Sequence, residues 1–369
     1  MSQKEGVSLY SNSQKLSYYH LVQLTPDLLS VLESPEESKY LRIKAAGPSS
    51  FAHLCSYSRT FRIRQISQSN TLLLLSAMHN ATDTESDTQI HDFSNDALSA
   101  AYISQLPGSF LECVPAIPQL DFSFVPIYEG SDLIDSSTQR DPLRRSEVAL
   151  RLPMSEYEFE GGWINSLCAE VSGYTVRLSD DLVLRLLPVL VAAIYAQRLD
   201  PCRFFAADVF AAVEDEEEPY TVIEAVLKRF STTRIEPYCL HREQLTRWFG
   251  IRVLADYAHH EIKLSEFQSK WQSILPSMLE LECDISLLTG EYVQPTINTI
   301  KYLPSMGLPI EPARRFASLF AAKSSWAVEE IMPFIEGIEN DKAKINSLFM
   351  KFSRKKTVMG KTVIFKRGA

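Results

Sequence analysis

The sequence predicts an α+β fold, β-rich in its N-terminal third and mostly helical beyond it. Two runs in the first third, Tyr40–Ala45 and Thr60–Ile66, alternate apolar and basic side chains with the two-residue period of a half-buried strand. Past about residue 145, apolar residues recur at helical spacing, as in Tyr220–Phe230, where Val222, Ile223, Val226, Leu227 and Phe230 share one side. Short β-like runs separate these helices, among them Tyr174–Leu178, Ile285–Leu288, Thr299–Leu303 and Lys356–Phe365.

Residues 1–17 are polar and Ser-rich, a flexible N-terminus. Thr25 as N-cap and Pro26 at the first helical position start a short helix to Leu32. In the first strand Leu41, Ile43 and Ala45 should face inward, with Arg42 and Lys44 outward; Phe61 and Ile63 oppose Arg62 and Arg64 in the second. Ser56–Arg59 reads as the turn between strands. Leu72–Leu75 is apolar on both faces and so needs cover on both. The polar stretch 78–95 interrupts the sheet, and Ser109–Val114 and Asp121–Tyr128 supply two further strands. The expectation is a β-barrel module over 18–130, incomplete without a partner chain, and then a polar linker over 131–145.

Helices follow over Asp180–Arg198, Tyr220–Phe230, Arg242–Tyr257, Ser265–Ile274, Pro312–Ala322, Val328–Ile335 and Asp341–Phe352. About three helices and a small hairpin make a winged helix. The clearest unit is the last, where three helices over 310–352 precede two β-runs about Gly360. The expected array is 146–218, 219–305 and 306–369.

With 369 residues, 45% hydrophobic and 22% charged, the chain has the composition of a soluble protein of several domains. Met1–Gly6 lacks a signal-peptide core, and the longest apolar stretch, Leu182–Ala196, is broken by Arg185 and Pro188. The expected compartment is intracellular, and Asn80-Ala81-Thr82 is discounted as a glycosylation site. Six widely spaced cysteines without a Cys-x-x-Cys pair point to reduced, buried thiols. His259-His260 and Cys239-x-His241 lack the ligand number of a metal site. With no Gly-rich phosphate loop, Gly-x-Ser-x-Gly elbow or His-Glu-x-x-His motif, no enzyme, cofactor or metal site is expected. Asp180-Asp181 fits a helix N-terminus, and Trp163, Trp248, Trp271 and Trp326 read as core residues on helices.

The net charge of −9 conceals an asymmetry. The segment from Lys342 onward holds nine of the 37 Lys and Arg residues and none of the 46 Asp and Glu, which leaves residues 1–341 with an excess of 18 negative charges. A basic end on an acidic body points to a polyanionic partner there. Lys344, Lys351, Arg354 and Lys355 fall at helical spacing, with Ile345, Leu348, Phe349 and Phe352 as the core stripe; Lys356, Lys361, Lys366 and Arg367 belong to the hairpin. These eight residues are the candidate DNA-binding set, and nothing among them identifies a base-reading residue. A solvated tail or a nuclear-import signal at Arg354-Lys355-Lys356 is the plainer alternative. Arg42, Lys44, Arg59, Arg62 and Arg64 form a second cationic stripe, read as solvated or as a protein interface because Phe61 lies on the opposite face.

Several segments carry a family likeness: Leu21-Val22-Gln23-Leu24-Thr25-Pro26-Asp27-Leu28-Leu29, Ser69-Asn70-Thr71-Leu72-Leu73, Val125-Pro126-Ile127-Tyr128, Pro219-Tyr220-Thr221 and Trp248-Phe249-Gly250-Ile251. Phe267-x-x-x-Trp271, Arg315-Phe316-x-x-Leu319-Phe320, Trp326-x-x-Glu329-x-Ile331-x-Pro333-x-Ile335 and Met350-Lys351-Phe352-Ser353-Arg354 continue it nearly to the end of the chain. In their order and spacing they resemble the DCC family of sister chromatid cohesion proteins, accessory subunits of an alternative replication factor C clamp loader. The resemblance implies that the N-terminal barrel joins two chromosome transmission fidelity subunits in a shared triple barrel, and that three winged helices follow. It implies docking on the catalytic subunit of DNA polymerase epsilon, action on the sliding clamp PCNA in the nucleus, and binding of single- and double-stranded DNA by the last winged helix. Family basic positions there would correspond to Lys351, Arg354, Lys366 and Arg367, although the terminal Gly368-Ala369 is extra. A free-standing winged-helix transcription or chromatin adaptor is the competing reading; its barrel would fold alone.

Overall fold

A computed structural model describes residues 8–11, 20–48, 50–67, 69, 74–77, 100–105, 109–118, 120–130, 143–213, 216–336, 338–339, 341–358 and 361–367. Among these residues are twelve α-helices and five small sheets of mixed α+β character, none of which closes into a barrel. The sequon at Asn80, the first part of the apolar run at Leu72, most of the 131–145 linker and the wing glycine Gly360 lie outside the described residues.

The chain divides into two compact units, one of residues 1–121 with 145–162, the other of 122–144 with 163–369. In the first, β1 (Ser8–Ser11), β6 (Leu74–Ala77) and β7 (Ala100–Gln105) form one sheet, ordered β1-β7-β6. The second sheet is ordered β2-β8-β5-β4-β3, from β2 (Val22–Gln23), β3 (Arg42–Lys44), β4 (His53–Cys55), β5 (Thr60–Ser67) and β8 (Ser109–Pro115). The turn reading between β4 and β5 is borne out, with Ser56 N donating to Arg59 O at 2.9 Å. Helix α1 (Pro26–Glu33) is capped by Thr25, whose hydroxyl accepts from Leu28 N at 3.3 Å, and α2 (Pro35–Ser38) follows it. Leu28 and Val31 of α1 pack on Phe61 and Cys113, forming a small core.

Two side chains of β3 depart from expectation, while Arg42 is exposed and Leu41 packs on the small core as expected. Ile43 is 70% exposed and Lys44 only 9%. The cause lies far along the chain in α3 (Arg145–Arg151) and α4 (Glu156–Asn165), which the expected domain map assigned to the helical region. Lys44 Nζ donates to Met154 O at 2.9 Å and stands 3.5 Å from a Glu156 carboxylate oxygen, so the buried ammonium is neutralised. Beside it Ser155 and Glu158 cap α4: Glu158 accepts from Ser155 Oγ at 2.7 Å and from Thr60 Oγ1, while Ser155 N donates to Thr60 Oγ1 at 2.8 Å. Tyr157 N donates to Tyr57 O at 3.0 Å. Residues 154–158 thus strap the β4–β5 hairpin.

In the second unit β9 (Ile127–Tyr128) is all that is strand in the expected 121–128 segment. It pairs in parallel with β11 (Tyr174–Leu178), itself the antiparallel partner of β10 (Cys168–Val171), and so serves the second unit. Beyond these strands the chain repeats one topological order three times: helix, short strand, two helical segments, two strands. The first instance is α5 (Asp180–Ala196), Phe204, α6 (Ala206–Ala211), α7 (Tyr220–Arg229) and the bridged pairs Phe204–Tyr238 and Ser231–Leu240. The second is α8 (Arg242–Tyr257), β12 (Ile262–Lys263), α9 (Leu264–Ile274), a 3-10 turn at Ile285–Leu288 where a strand was expected, β13 (Tyr292–Val293) and β14 (Thr299–Tyr302). The third is α10 (Pro312–Ala322), β15 (Ser325–Ala327), α11 (Val328–Ile335), α12 (Lys342–Phe352), β16 (Ser353–Val358) and β17 (Lys361–Lys366). In each, the last strand lies between the other two, as in the sheet orders β12-β14-β13 and β15-β17-β16.

One core runs through the first two repeats, with Leu187, Phe204, Val226, Phe249 and Trp271 among its members. At its tightest point a Cβ on Gly250 would meet Trp271 and Leu288 at 2.7 Å, so α8 can approach them there only without a side chain. The third repeat builds a separate core from Phe316, Trp326, Phe334, Ile345, Phe349 and Ile364, which Val293 of the second hairpin joins. Trp326 reaches that core from β15 and not from a helix, its indole N–H donating to Lys323 O at 2.9 Å. Arg315 is buried and, among the described residues, has no carboxylate partner. Its guanidinium donates to the carbonyls of Ser305 (2.8 Å), Leu308 (3.1 Å), Pro309 (3.2 Å) and Phe334, and burial pushes its pKa down. No helix among the described residues is long and apolar enough to cross a membrane.

Candidate nucleic-acid interface

Asp341 starts α12 as its N-cap, accepting from Ala343 N at 2.8 Å. Ile345 and Phe349 are buried against Phe316, whose ring centroid lies 5.8 Å from that of Phe349 and 5.4 Å from that of Phe352. Leu348 and Phe352 complete the stripe as partly buried neighbours, as their spacing predicted. The helix ends at Phe352 because Ser353 turns extended, at φ −139° and ψ 174°, while its buried hydroxyl donates to Phe349 O at 2.6 Å.

That ending corrects one expectation. Arg354 and Lys355 stand on β16 and not on the helix, and alternation sends them to opposite faces of the hairpin. Lys355 pairs in register with the buried Ile364, which turns it toward α12; its ammonium donates to Asn346 Oδ1 at 3.2 Å and sits 5.4 Å from the Phe349 ring centroid. Arg354 and Lys356 share the other face, paired with Phe365 and Val363. Lys366 lies opposite Ser353, at the end of the ladder next to the helix.

On the helix, Lys344 and Lys351 lie seven residues apart on one flank. Lys344 is 3.6 Å from a Glu339 carboxylate oxygen, which offsets part of its charge. Lys351 is exposed, 5.3 Å from the Phe352 ring centroid. Arg367 donates to the carbonyls of Met350 (2.9 Å) and Lys351 (3.1 Å), a cation placed on the negative end of the α12 dipole. The backbone of Lys361 ends the ladder opposite Val358, and its side chain lies outside the described residues. Lys351, Arg354, Lys355, Lys356 and Lys366 are therefore exposed cations, and among the described residues none is ion-paired. Asn346, which orients Lys355, carried no mark in the sequence; Arg315, part of the family likeness, ties α10 to α11 and the Ser305–Pro309 loop.

The cationic stripe of the N-terminal unit is largely engaged. Lys44 is buried, Arg59 lies 3.5 Å from Asp27, Arg64 donates to Glu112 at 2.7 Å, and Arg62 stacks 3.5 Å over the Phe51 ring. Arg42 lines a shallow hollow with Tyr40, Tyr57, Glu156 and Glu160, whose acidic wall disfavours a phosphate. Among the histidines, His241 caps α8, accepting from Gln244 N at 3.4 Å. Among the described residues no three His, Cys, Asp or Glu side chains are placed to hold a metal ion.

Comparison with known proteins supplies a relationship. The family model described as "Sister chromatid cohesion protein Dcc1" matches residues 19–335, most of the chain, and stops short of α12. The protein named Sister chromatid cohesion protein DCC1 in Saccharomyces cerevisiae is 30% identical over 380 aligned positions, covering 98% of this chain and 100% of that one. Its namesake in Xenopus laevis is 23% identical over 346 positions (91% of this chain, 86% of the relative), and that in Mus musculus is 23% identical over 351 (90% and 83%).

Proposed function

The chain belongs to the Dcc1 family of sister chromatid cohesion proteins, and from that premise we propose that it is a non-catalytic subunit of an alternative replication factor C-like clamp loader that contacts DNA through α12, β16 and β17. The observation that carries the DNA contact is the run of exposed cations Lys351, Arg354, Lys355, Lys356 and Lys366 on one helix and one hairpin, none ion-paired among the described residues. Cations spread over both faces of a two-stranded ribbon and along the flank of the adjoining helix suit a charged backbone better than a base edge, so the binding is sequence-independent. The thrice-repeated strand order supports the winged-helix reading. On it the three units start at α5, α8 and α10, later than the sequence alone suggested.

The family supports a place in a cohesion-linked assembly. On this reading the N-terminal module, with its open sheets, completes a triple barrel with the chromosome transmission fidelity subunits, and the assembly links the loader to DNA polymerase epsilon and acts on PCNA in the nucleus. Exposed Val22 and Ile43, on the two outer strands of the five-stranded sheet, are the apolar surface such partners would cover.

The Lys351→Glu/Arg354→Glu double variant tests the DNA contact. Its affinity for a random-sequence duplex should fall by about tenfold or more, and its log–log salt slope should flatten by about 2. An unchanged slope in a folded variant would overturn the reading. Co-purification of the tagged chain from nuclear extract tests the partners; recovery without loader subunits counts against them.

A further inference from the structure

We propose that Thr357 is a phosphoacceptor for basophilic protein kinases, and that its phosphorylation releases the α12–β17 surface from nucleic acid. The inference rests on the DNA-contact reading of that surface. The C-terminal basic segment holds four hydroxyl residues, and the structure separates them. Ser347 is on α12 and donates to Ala343 O at 3.0 Å, held in helical backbone. Ser353 is buried, its hydroxyl committed to Phe349 O. Thr362 is on β17, the central strand of its sheet, with Met359 three residues before it. Thr357 is exposed and already extended on β16, an outer strand paired on one side only, near the hairpin end. Arg354, Lys355 and Lys356 occupy the three positions before it.

Kinases of this class bind an extended segment and read cations N-terminal to the acceptor, arginine at the third position above all, through acidic subsites. No other residue of the basic segment combines a free strand edge with that spacing. The reaction balances as ordinary phosphoryl transfer from MgATP: Thr357 Oγ1 bonds to the γ-phosphorus, the bond to the β–γ bridging oxygen breaks, ADP leaves, and the hydroxyl proton passes to the kinase base. The product adds about −1.5 to −2 charge on the hairpin face it shares with Lys355, between the helix and the wing. The segment has no acidic residue of its own, so this is its first negative charge, and it cancels roughly two of the cations offered to DNA.

The full chain is incubated with MgATP and the catalytic subunit of a cyclic-AMP-dependent kinase, mapped by mass spectrometry, and titrated with random-sequence single- and double-stranded oligonucleotides over a salt series. Phosphate on Thr357, absent in Thr357→Val (a variant that keeps a β-branched residue on the strand), is the expected result. With it the dissociation constant rises roughly tenfold or more and the salt slope flattens by about 2, both reversed by phosphatase. No phosphate at Thr357, or the same incorporation in Thr357→Val, overturns the assignment. Phosphate on Thr357 with unchanged affinity, while Lys351→Glu/Arg354→Glu still weakens binding, overturns the regulatory claim and leaves the DNA reading intact. Phosphate on Thr357 in a chain that never bound DNA overturns both the DNA reading and the regulation, and leaves the acceptor in place.

Discussion

The second and third repeats share a strand order but differ in what fills it. Where the third has α12, three turns carrying Lys342, Lys344 and Lys351, the second has a one-turn 3-10 helix at Ile285–Leu288, preceded by Glu280, Glu282 and Asp284. The second hairpin, Tyr292–Tyr302, has Lys301 as its one cation and presents Ile297, 88% exposed, at its turn. The third carries Arg354, Lys355, Lys356, Lys361 and Lys366 over a longer ladder. What separates the two repeats is therefore charge and not strand order, and the proposed nucleic-acid contact rests on that charge.

If the third repeat stands on its own core, damage there should stay there. Trp326→Ala removes a buried indole from that core and should cost about 3–5 kcal/mol. Hydrogen exchange should then rise across 311–367, while α8 and α9 stay protected and DNA binding falls with the fold. Loss of protection in both repeats together would show that Val293, the residue the second hairpin lends to this core, couples them.

Arg315→Ala should cost about 2–4 kcal/mol, since it strips the donors from the carbonyls of Ser305, Leu308, Pro309 and Phe334 at once. Denaturant melts of the variant would show this as a lower midpoint, and a change under about 1 kcal/mol would mean that water replaces the guanidinium. The smallest effect belongs to Lys301→Glu, which reverses the lone cation of the second hairpin. Its DNA affinity should stay within about twofold of the parent. A loss as large as that from Lys351→Glu/Arg354→Glu would merge the two surfaces into one.

Local signals were legible in the sequence. Thr25 caps its helix through its own side chain as read, and the apolar spacing of α8, α10 and α11 marks their ends to the residue. Lys44 was misread because its partners lie 110 and 112 residues further on, beyond the reach of any periodic pattern. Arg354 and Lys355 were misread for a subtler reason: positions 351, 354 and 355 satisfy helical spacing whether or not the helix continues. The helix ends because Ser353 turns extended and opens β16, which no spacing of the cations announces. The cations proposed to contact DNA were legible as composition and only partly as geometry, since Arg367 turned out to hold the end of α12.

The strap over the β4–β5 hairpin bears on how the chain is made. Strands β3 to β5 leave the ribosome long before Met154 and Glu156, which hold Lys44, and Ser155 and Glu158, which satisfy Thr60. Until residue 162 has been synthesised the first unit lacks part of itself, while the intervening segment 122–144 belongs to the other unit. The N-terminal unit is therefore completed only after part of the other unit has been made, and the nascent chain must carry an open sheet edge through that interval. A gene cut at residue 130 would make that transient permanent, and insolubility of such a fragment would report a missing strap as readily as a missing partner.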